Sequence, residues 1–207
     1  MHLFNGFWWP DSDTKLAQVF DWVSDIDEIL KHVKKFDVCI QAGGACGQWP
    51  AEFAKHFKQV HTFEPVAENY ACLKLNVPSN VIAKQASLGA YQCGARIARD
   101  EFEDGNAGAW YTVPGGGEVY QTTIDSLMLY LDDACDLIQL DIEGGEFDAL
   151  QGARHTIEKF HPVVVVEEKP LPHMTVPHTA AGDFLKSLGY REVGRVHRDV
   201  IYAHGGE

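Results

Sequence analysis

Three groups of residues in this chain combine residue types and spacings that suit ligand chemistry. The first is the run QAGGACG at residues 41–47, which follows a β-prone segment and precedes a helical pattern. Glycines at such a turn let the backbone approach a ligand, and the helix start offers free N–H donors. The run lacks the G-x-G-x-x-G spacing of dinucleotide sites and the G-K-[ST] ending of a phosphate loop. Taken alone, it is equally compatible with a plain turn.

The second group is a single acid, Glu64, at the end of the next β-prone run and about twenty residues beyond the glycines. A carboxylate at that place can accept hydrogen bonds from both hydroxyls of a ribose. An isolated glutamate would more often be a solvated charge at a strand end. Glu64 and the glycine turn together favour a nucleoside cofactor, provided that their two strands are neighbours.

The third group is the acidic run DIEGGE at residues 141–146, which follows the apolar run Leu137 to Leu140. In open α/β sheets, the ligand crevice lies at the carboxyl ends of the central strands. Asp141, Glu143 and Glu146 are therefore candidate site residues. They are also suited to capping the following helix or complementing its dipole.

The elements that must position these groups alternate between strand and helix. The strands are predicted at Val38 to Gln41, Gln59 to Phe63, Val81 to Ala86, Asp136 to Ile142 and Pro162 to Glu168, and the helices at Pro50 to Phe57, Ala67 to Leu75, Gly145 to Phe160 and Thr179 to Leu188. Such alternation predicts an α/β fold with a mostly parallel open sheet. The closely spaced runs Tyr190 to Val196 and Val200 to Ala203 predict an antiparallel hairpin.

Two segments fall outside this rhythm. Residues 1–33 are predicted to form an aromatic arm and then an amphipathic helix from Thr14 to Val33, begun by Ser12 or Asp13. The arm's aromatic residues suit a lid over a ligand, or packing on the core or on a second subunit, so a homodimer stays a hypothesis. Residues 89–121 contain a glycine triplet and short apolar fragments, which predict an irregular hairpin or loop.

Composition limits the class of protein and its partners. A chain of 207 residues with 45% hydrophobic residues is expected to form one domain. Its formal charge of −13 and its lack of a basic stripe argue against a nucleic-acid partner. Five cysteines without a C-x-x-C pair, no signal-peptide pattern and only short apolar runs favour a reducing, cytoplasmic location without a membrane span.

Several segments resemble the FkbM family of S-adenosylmethionine-dependent methyltransferases. They are VCIQAGGACG, HTFEPVAENYACLKLNV, TTIDSL and LIQLDIEGGEFDALQGA, within Val38 to Glu168. The resemblance implies a Rossmann-like class I methyltransferase fold, with a mostly parallel seven-stranded sheet, helices on both faces and an antiparallel carboxyl-terminal hairpin. It also implies methyl transfer to a hydroxyl of a small molecule or glycan, often a sugar.

The same resemblance implies positions for the cofactor. Gly43 and Gly47 would line its methionine part, Glu64 would bind the ribose, and Ala86 with Ser87 would lie by the adenine. The full set expected at S-adenosylmethionine is Gln41, Gly43, Gly44, Gly47, Glu64, Pro65, Ala86, Ser87 and Asp141. The family usually has Asp where this chain has Gln41, and a neutral amide attracts the cofactor's ammonium less strongly.

An acceptor hydroxyl must lose its proton during transfer. Candidate bases are Asp141, Glu143, Glu167 and a histidine of the 169–178 loop, His173 or His178, although the residue pattern favours a solvated loop histidine over a catalytic one. A divalent ion held by Asp141 and Glu167 would serve the same purpose. The sequence does not decide between base and metal, and we predict no metal site.

Three other functions are compatible with parts of the pattern. A nicotinamide-dependent oxidoreductase would use a similar ribose acid, but the incomplete glycine spacing disfavours it. A nucleic-acid methyltransferase is disfavoured by the net charge and by the segment DIEG in place of [DNS]-P-P-[YFW]. A non-catalytic nucleoside-binding module on a methyltransferase scaffold is suggested by Gln41.

Overall fold

The strands and helices alternate along the chain in the computed structural model, which describes residues 1–15, 23–99, 105–127 and 133–205. The strands are β1 (His2–Phe4), β2 (Phe7–Trp9), β3 (Val38–Ala42), β4 (Gln59–Phe63), β5 (Val81–Lys84), β6 (Ser87–Leu88), β7 (Cys93–Arg99), β8 (Trp110–Pro114), β9 (Val119–Thr122), β10 (Leu137–Leu140), β11 (Val163–Glu167), β12 (Tyr190–Val196) and β13 (Asp199–His204). The helices are α1 (Ile26–Leu30), α2 (Gln48–Phe53), α3 (Ala67–Asn76), α4 (Ile124–Leu127), α5 (Glu146–Gln151), α6 (Arg154–Phe160) and α7 (Ala180–Ser187).

A seven-stranded sheet forms the centre of the protein, in the order β12-β13-β11-β10-β3-β4-β5. The strands from β11 to β5 are parallel, whereas β13 runs antiparallel to both β11 and β12. This topology confirms the predicted α/β fold and its carboxyl-terminal hairpin. Helices cover both faces of the sheet.

Both faces of the central strands are buried because successive side chains point to opposite sides. On one face, Val38 and Ile40 of β3 pack with residues of α5, α6 and α7. On the other face, Cys39 packs with residues of α1 and α2. The central strands are thus fixed between two apolar layers.

The register of the sheet brings three strand ends together. Ala42 pairs with Leu140 of β10 on one side and with Phe63 of β4 on the other. The next residue of each strand is Gly43, Asp141 and Glu64, so the three chemical groups recognised in the sequence converge at one edge. This is the arrangement that a nucleoside pocket requires.

The predicted helix from Thr14 to Val33 is confirmed only in part, over Ile26–Leu30. Residues 13–15 have no regular secondary structure, and the helix α1 ends at Leu30; residues 16–22 lie outside the described residues. The carboxylate of Asp13 accepts hydrogen bonds from the N–H groups of Lys15 and Ala107. Asp13 therefore joins the arm to a distant loop instead of starting a helix there.

Two other predicted helices have different bounds. The helix α2 begins at Gln48 and ends at Phe53, short of the predicted Phe57. The predicted helix from Gly145 to Phe160 is divided into α5 and α6, because Asp125 accepts hydrogen bonds from the N–H groups of His155 and Thr156 and so caps a new helix start.

The segment expected to be an irregular hairpin or loop contains regular strands. The strand β7 pairs antiparallel with β8 and β9, and β6 joins β9 in a sheet of order β6-β9-β7-β8. The glycine triplet lies in the turn between β8 and β9, where Gly115 and Gly116 have φ angles of 94° and 111°. The glycines therefore indicated a tight turn between strands.

No helix among the described residues has the length and hydropathy needed to cross a lipid bilayer.

Candidate active site

A cavity of about 410 Å³ opens at the carboxyl ends of β3, β4 and β10. This volume lies within the range of typical small-ligand sites. The predicted residues that line it are Gly43, Gly44, Glu64, Pro65, Ala86, Ser87, Asp141, Glu143 and Glu167. The sequence motifs therefore meet around one space, as the nucleoside hypothesis requires.

The glycine turn packs closely between the ends of β4 and β10. The N–H groups of Gly43 and Gly44 donate hydrogen bonds to the carbonyl oxygen of Phe63, at 3.1 and 2.9 Å. Gly43 has a φ angle of 80°, and a Cβ atom there would lie 1.8 Å from the carbonyl oxygen of Asp141. Only glycine fits this position, because the turn passes directly against the end of β10.

Glu64 is almost fully buried at the cavity wall, with 4% of its surface exposed. Its carboxylate oxygens accept hydrogen bonds from the N–H groups of Ala45 and Val66, each at 2.8 Å. Burial raises the pKa of Glu64 to about 7, although these N–H groups act to lower it. A carboxylate has about four acceptor positions, so further donors can bind beside these two.

Two residues expected at the cofactor, Gln41 and Gly47, do not line this cavity. The side chain of Gln41 is fully buried: its Nε2 donates to the carbonyl oxygens of Ala42 and Gly43, and its Oε1 accepts from the hydroxyl of Thr62. Gly47 has a φ angle of 102°, and a Cβ there would meet a methyl group of Val77 at 3.1 Å. Both residues serve the packing of the turn, and their expected contact with the cofactor stays a prediction.

Three carboxylates lie close together in the cavity lining. Oxygens of Asp141, Glu143 and Glu167 lie within 4.8 Å of one another. The pKa of Asp141 is raised to about 7 by burial and by the charge of Glu167, whereas Lys169 and Arg198 oppose the shift. The pKa of Glu167 is raised to about 7 by burial and by the charge of Glu143. Such a group can accept a proton near neutral pH or hold a divalent cation through oxygen ligands.

The loop that carries Glu143 has an unusual backbone. Glu143 and Gly144 have φ angles of 51° and 96°. Glu146, at the start of α5, accepts hydrogen bonds from the N–H groups of Ile142 and Gly144, at 2.9 and 3.4 Å. Glu146 thus holds the acidic loop in place through these two hydrogen bonds. The Nζ atom of Lys169 lies 3.5 Å from the carboxylate of Glu143.

His173 lies beside a smaller, neighbouring cavity of about 150 Å³ and does not line the larger one. Its Nε2 atom is 2.8 Å from the carbonyl oxygen of Glu143, to which it donates a hydrogen bond. Its ring stacks on Tyr111, with the ring centroids 3.6 Å apart and the planes 3° from parallel. Since Tyr111 and Glu143 line both cavities, His173 supports their shared wall. His178 is exposed and lines neither cavity.

The amino-terminal arm closes one side of the larger cavity. Trp9 is 2% exposed and lines it, together with Asp13. The arm is tied to the 105–109 loop, because Asp13 accepts from the N–H of Ala107 at 3.2 Å. Asn69 of α3 donates to the carbonyl oxygen of Ala107 at 2.7 Å. The arm is therefore a wall of the site, whereas Trp8 is 39% exposed and does not line the cavity.

Comparison with known proteins identifies the family. A model of the FkbM methyltransferase domain matches residues 44–192, which is more than half of the chain. The chain belongs to this FkbM domain family. Membership of this family implies S-adenosylmethionine as the cofactor. A search of curated proteins found no significant sequence match.

Solved structures similar to this FkbM domain protein share its fold. The FkbM methyltransferase from Methylobacillus flagellatus KT has 19% identity and a TM-score of 0.53, over 82% of this chain and 44% of that one. The present chain therefore spans less than half the length of that relative. Precorrin 8w decarboxylase from Methanobacterium thermoautotrophicum has 14% identity and a TM-score of 0.55, over 98% of this chain and 99% of that one. Precorrin-6y C5,15-methyltransferase from Geobacter metallireducens GS-15 has 14% identity and a TM-score of 0.52, over 95% of this chain and 91% of that one.

The polar atoms of the cavity fit the cofactor that the FkbM family implies. Glu64 offers carboxylate oxygens for a ribose diol. Ser87 is 5% exposed and lines the cavity, and its hydroxyl has no hydrogen-bond partner within the described parts of the chain. A buried hydroxyl without a partner can form a hydrogen bond with a nitrogen atom of a bound adenine.

Sequence reasoning missed several residues at this FkbM-family site. Gln48 directly follows the glycine turn and lines the cavity, so its position in the motif was a usable signal. Asn69, Lys169 and Arg198 also line the cavity. No local pattern marked these three, because they come from a helix, a loop and a hairpin turn that meet only in the folded chain.

Proposed function

We propose that this protein transfers a methyl group from S-adenosylmethionine to a hydroxyl oxygen of a small molecule or glycan. The observation that carries the proposal is the convergence of the glycine turn, Glu64 and the carboxylate group on one cavity at three adjacent strand ends. The cofactor supplies a methyl group already activated by a cationic sulfur. The protein must therefore align the two reactants and remove the acceptor proton.

In the proposed complex, cofactor binding is divided among the strand ends. Glu64 at the end of β4 accepts from the ribose diol, and Ser87 after β5 contacts the adenine. Gly43 and Gly44 let the backbone approach the cofactor between these points and β10. Asp141 at the end of β10 then lies towards the cationic, reacting end, where a carboxylate is favourable.

We assign proton removal to Asp141 and Glu167. A base works best when its pKa lies near the working pH, and burial raises the pKa of both residues to about 7. Glu143 is less suited because Lys169 lies beside its carboxylate. If these acids instead hold a divalent ion, methyl transfer will stop in EDTA and return with Mg²⁺, whereas base catalysis will be unaffected by the chelator.

The acceptor is proposed to be a polyhydroxylated or other small molecule on two grounds. The cavity is lined by carboxylates that can accept hydrogen bonds from hydroxyls, and by the aromatic residues Trp110 and Tyr111. The net charge of −13 disfavours nucleic acid. The five cysteines are free thiols, which agrees with the proposed cytoplasmic location.

The experiment begins with calorimetric titration of S-adenosylhomocysteine, with NADH as the control ligand. Methyl-labelled S-adenosylmethionine is then incubated with methyl glycosides, catechols and RNA, using wild-type protein and Asp141→Asn. We expect binding of S-adenosylhomocysteine, label on a hydroxyl compound, and loss of transfer in the folded variant. Binding of NADH alone, or label on RNA alone, would refute the proposal.

A non-catalytic binding module would bind the cofactor and transfer no label to any compound. Its main support was Gln41, the neutral residue at a position that is usually Asp. The Gln41 amide is bonded to Ala42, Gly43 and Thr62 and lies outside the cavity lining. The substitution therefore gives no reason to expect an inactive site.

A further inference from the structure

The smaller cavity, of about 150 Å³, has no role in the proposed cofactor complex. We infer that it binds the acceptor and takes one aromatic ring with one or two hydroxyl groups, a phenol or a catechol; this inference rests on the proposed function. An apolar cavity of this volume is large enough for a single benzene ring. The nucleoside is assigned to the larger cavity, with Glu64 and Ser87, so the two reactants occupy separate spaces.

The position of the smaller cavity places an acceptor beside the reacting end of the cofactor. Tyr111, Glu143 and Lys169 line both cavities, so the two spaces meet at these residues. A carboxylate oxygen of Glu143 lies within 4.8 Å of oxygens of Asp141 and Glu167, the proposed bases. A ring in the smaller cavity can therefore direct a hydroxyl past Glu143 and Lys169 towards these bases and the methyl group.

The sides of the smaller cavity suit the faces of an aromatic ring. Residues 170–172 read Pro-Leu-Pro, and all three line the cavity together with Ala109. Tyr111 and His173, stacked with their ring centroids 3.6 Å apart, add two aromatic side chains. Apolar and aromatic groups thus form most of the lining, which is typical of small-molecule sites.

The few polar groups of the smaller cavity favour a phenol over a sugar. Within the described chain, the charged side chains that line it are Glu143 and Lys169, which already pair at 3.5 Å. The Nε2 atom of His173 donates to the carbonyl oxygen of Glu143. A sugar ring would bring several hydroxyls, each of which needs partners once it is removed from water. A phenol or catechol brings one or two, and the rest of its surface is apolar.

A phenolic hydroxyl also suits the proposed proton transfer. Its pKa is about 10, well below that of a sugar hydroxyl, and the ammonium of Lys169 favours the negative charge that develops on its oxygen. An oxygen lone pair forms the new C–O bond while the S–C bond breaks and leaves its electron pair on sulfur, and the proton passes to Asp141 or Glu167. The products are an aryl methyl ether and S-adenosylhomocysteine.

Three compounds of different size and polarity test the inference on the full chain saturated with S-adenosylhomocysteine. They are catechol, 2,3-dihydroxynaphthalene, which adds one fused ring, and methyl β-glucoside. Calorimetry should show that wild-type protein binds catechol about tenfold or more tightly than either of the others. With methyl-labelled S-adenosylmethionine, catechol should also be the best acceptor of the three.

Leu171 allows the size of the cavity to be changed in both directions. It lines the smaller cavity and not the larger one, and it is only partly buried. Leu171→Trp should fill the space and weaken catechol binding about tenfold or more. Leu171→Ala should widen the space and raise the affinity for 2,3-dihydroxynaphthalene relative to catechol. In both variants the affinity for S-adenosylhomocysteine should stay within about twofold of wild type, which also reports a folded protein.

Leu75→Trp and Leu75→Ala are the matched controls, because Leu75 is 58% exposed and lines neither cavity. They should leave the affinities for all ligands unchanged. The inference is overturned if the glucoside binds better than catechol, if neither diol binds, or if the Leu171 variants behave like the Leu75 variants. The proposed function survives those results when label reaches another hydroxyl compound. If wild-type protein does not bind S-adenosylhomocysteine, the proposed function itself fails, and the inference fails with it.

Discussion

A carboxylate oxygen of Glu64, at the end of β4, accepts a hydrogen bond from the N–H of Ala45 in the turn after β3, at 2.8 Å. The residue proposed to bind the ribose therefore also holds the glycine turn in place. Its other oxygen accepts from the N–H of Val66. Ligand binding and local folding share one side chain, and substitutions at Glu64 must be interpreted with both roles in mind.

Replacing Glu64 should separate these two roles. Glu64→Ala leaves two N–H groups without their acceptor, so we expect a loss of about 1–3 kcal/mol of stability as well as loss of cofactor binding. Glu64→Gln keeps one carbonyl acceptor, so its Tm should stay closer to wild type, while affinity for S-adenosylhomocysteine falls about tenfold or more. Calorimetric titration and thermal unfolding check both results. Unchanged affinity in both variants would remove Glu64 from the site.

The pKa of Glu64, raised by burial to about 7, predicts a pH-dependent affinity. Ribose hydroxyls donate best to the ionised carboxylate, so binding of uncharged 5′-methylthioadenosine should strengthen as the pH rises from 5.5 to 8. Glu64→Gln should show no such rise. Calorimetry across this pH range provides the measurement, and equal slopes for the two proteins would contradict the prediction.

The raised pKa of Glu64 also makes the stability of the ligand-free protein depend on pH, but here a rise in pH is unfavourable. The folded-state pKa of Glu64 is above the ordinary value of 4.5, so the native state binds this proton more tightly than the unfolded state does. The stabilisation is complete below pH 4.5 and is lost as the pH rises through 7. Wild-type protein should therefore lose Tm relative to Glu64→Gln over that interval.

Gly43→Ala should be far more damaging than a glycine substitution at an open turn. A Cβ on Gly43 would lie 1.8 Å from the Asp141 carbonyl oxygen, so the turn must move, at a cost of more than about 3 kcal/mol. Gly115 also has a positive φ angle, but a Cβ there meets nothing within 4 Å. Gly115→Ala should lose only about 1–2 kcal/mol from backbone strain. Urea unfolding compares the two, and equal losses would show that packing against β10 does not fix the turn.

Two glutamines that pair in the sheet should respond oppositely to Met. Gln139 of β10 lies opposite Gln41 of β3, and both are fully buried. Neither polar atom of the Gln139 side chain has a hydrogen-bond partner among the residues that the structure describes. Gln139→Met should therefore stabilise the protein by about 1–2 kcal/mol, because it replaces an amide that lacks hydrogen-bond partners with an apolar side chain of similar volume.

Gln41→Met is the matched control for this pair. It removes the side-chain bonds to Ala42, Gly43 and Thr62, so it should lower the Tm. A change of 1 kcal/mol corresponds to about 2–4 °C in a domain of this size. A lower Tm for Gln139→Met would show that its amide is satisfied in solution, for example by buried water.

Much of the fold could be predicted because local patterns specify it. The bounds of β4 agree with the predicted run from Gln59 to Phe63, and the carboxyl-terminal hairpin lies where two β-prone runs are closely spaced. The errors have tertiary causes. Asp13 bonds to Ala107 in a distant loop instead of beginning a helix, and Asp125 caps a helix start that divides the predicted helix.

The sequence by itself determined which residues could form a nucleoside site, because the glycines, Glu64 and Asp141 each follow a β-prone run and so lie at the carboxyl end of a predicted strand. The tertiary structure decided which of them face the cavity. Gln41 and Gln48 are both near the glycines, yet only Gln48 lines the cavity, since the Gln41 side chain is fully buried within the sheet. Side-chain exposure depends on the packing of segments that are distant along the chain, and no local pattern of residues encodes that packing.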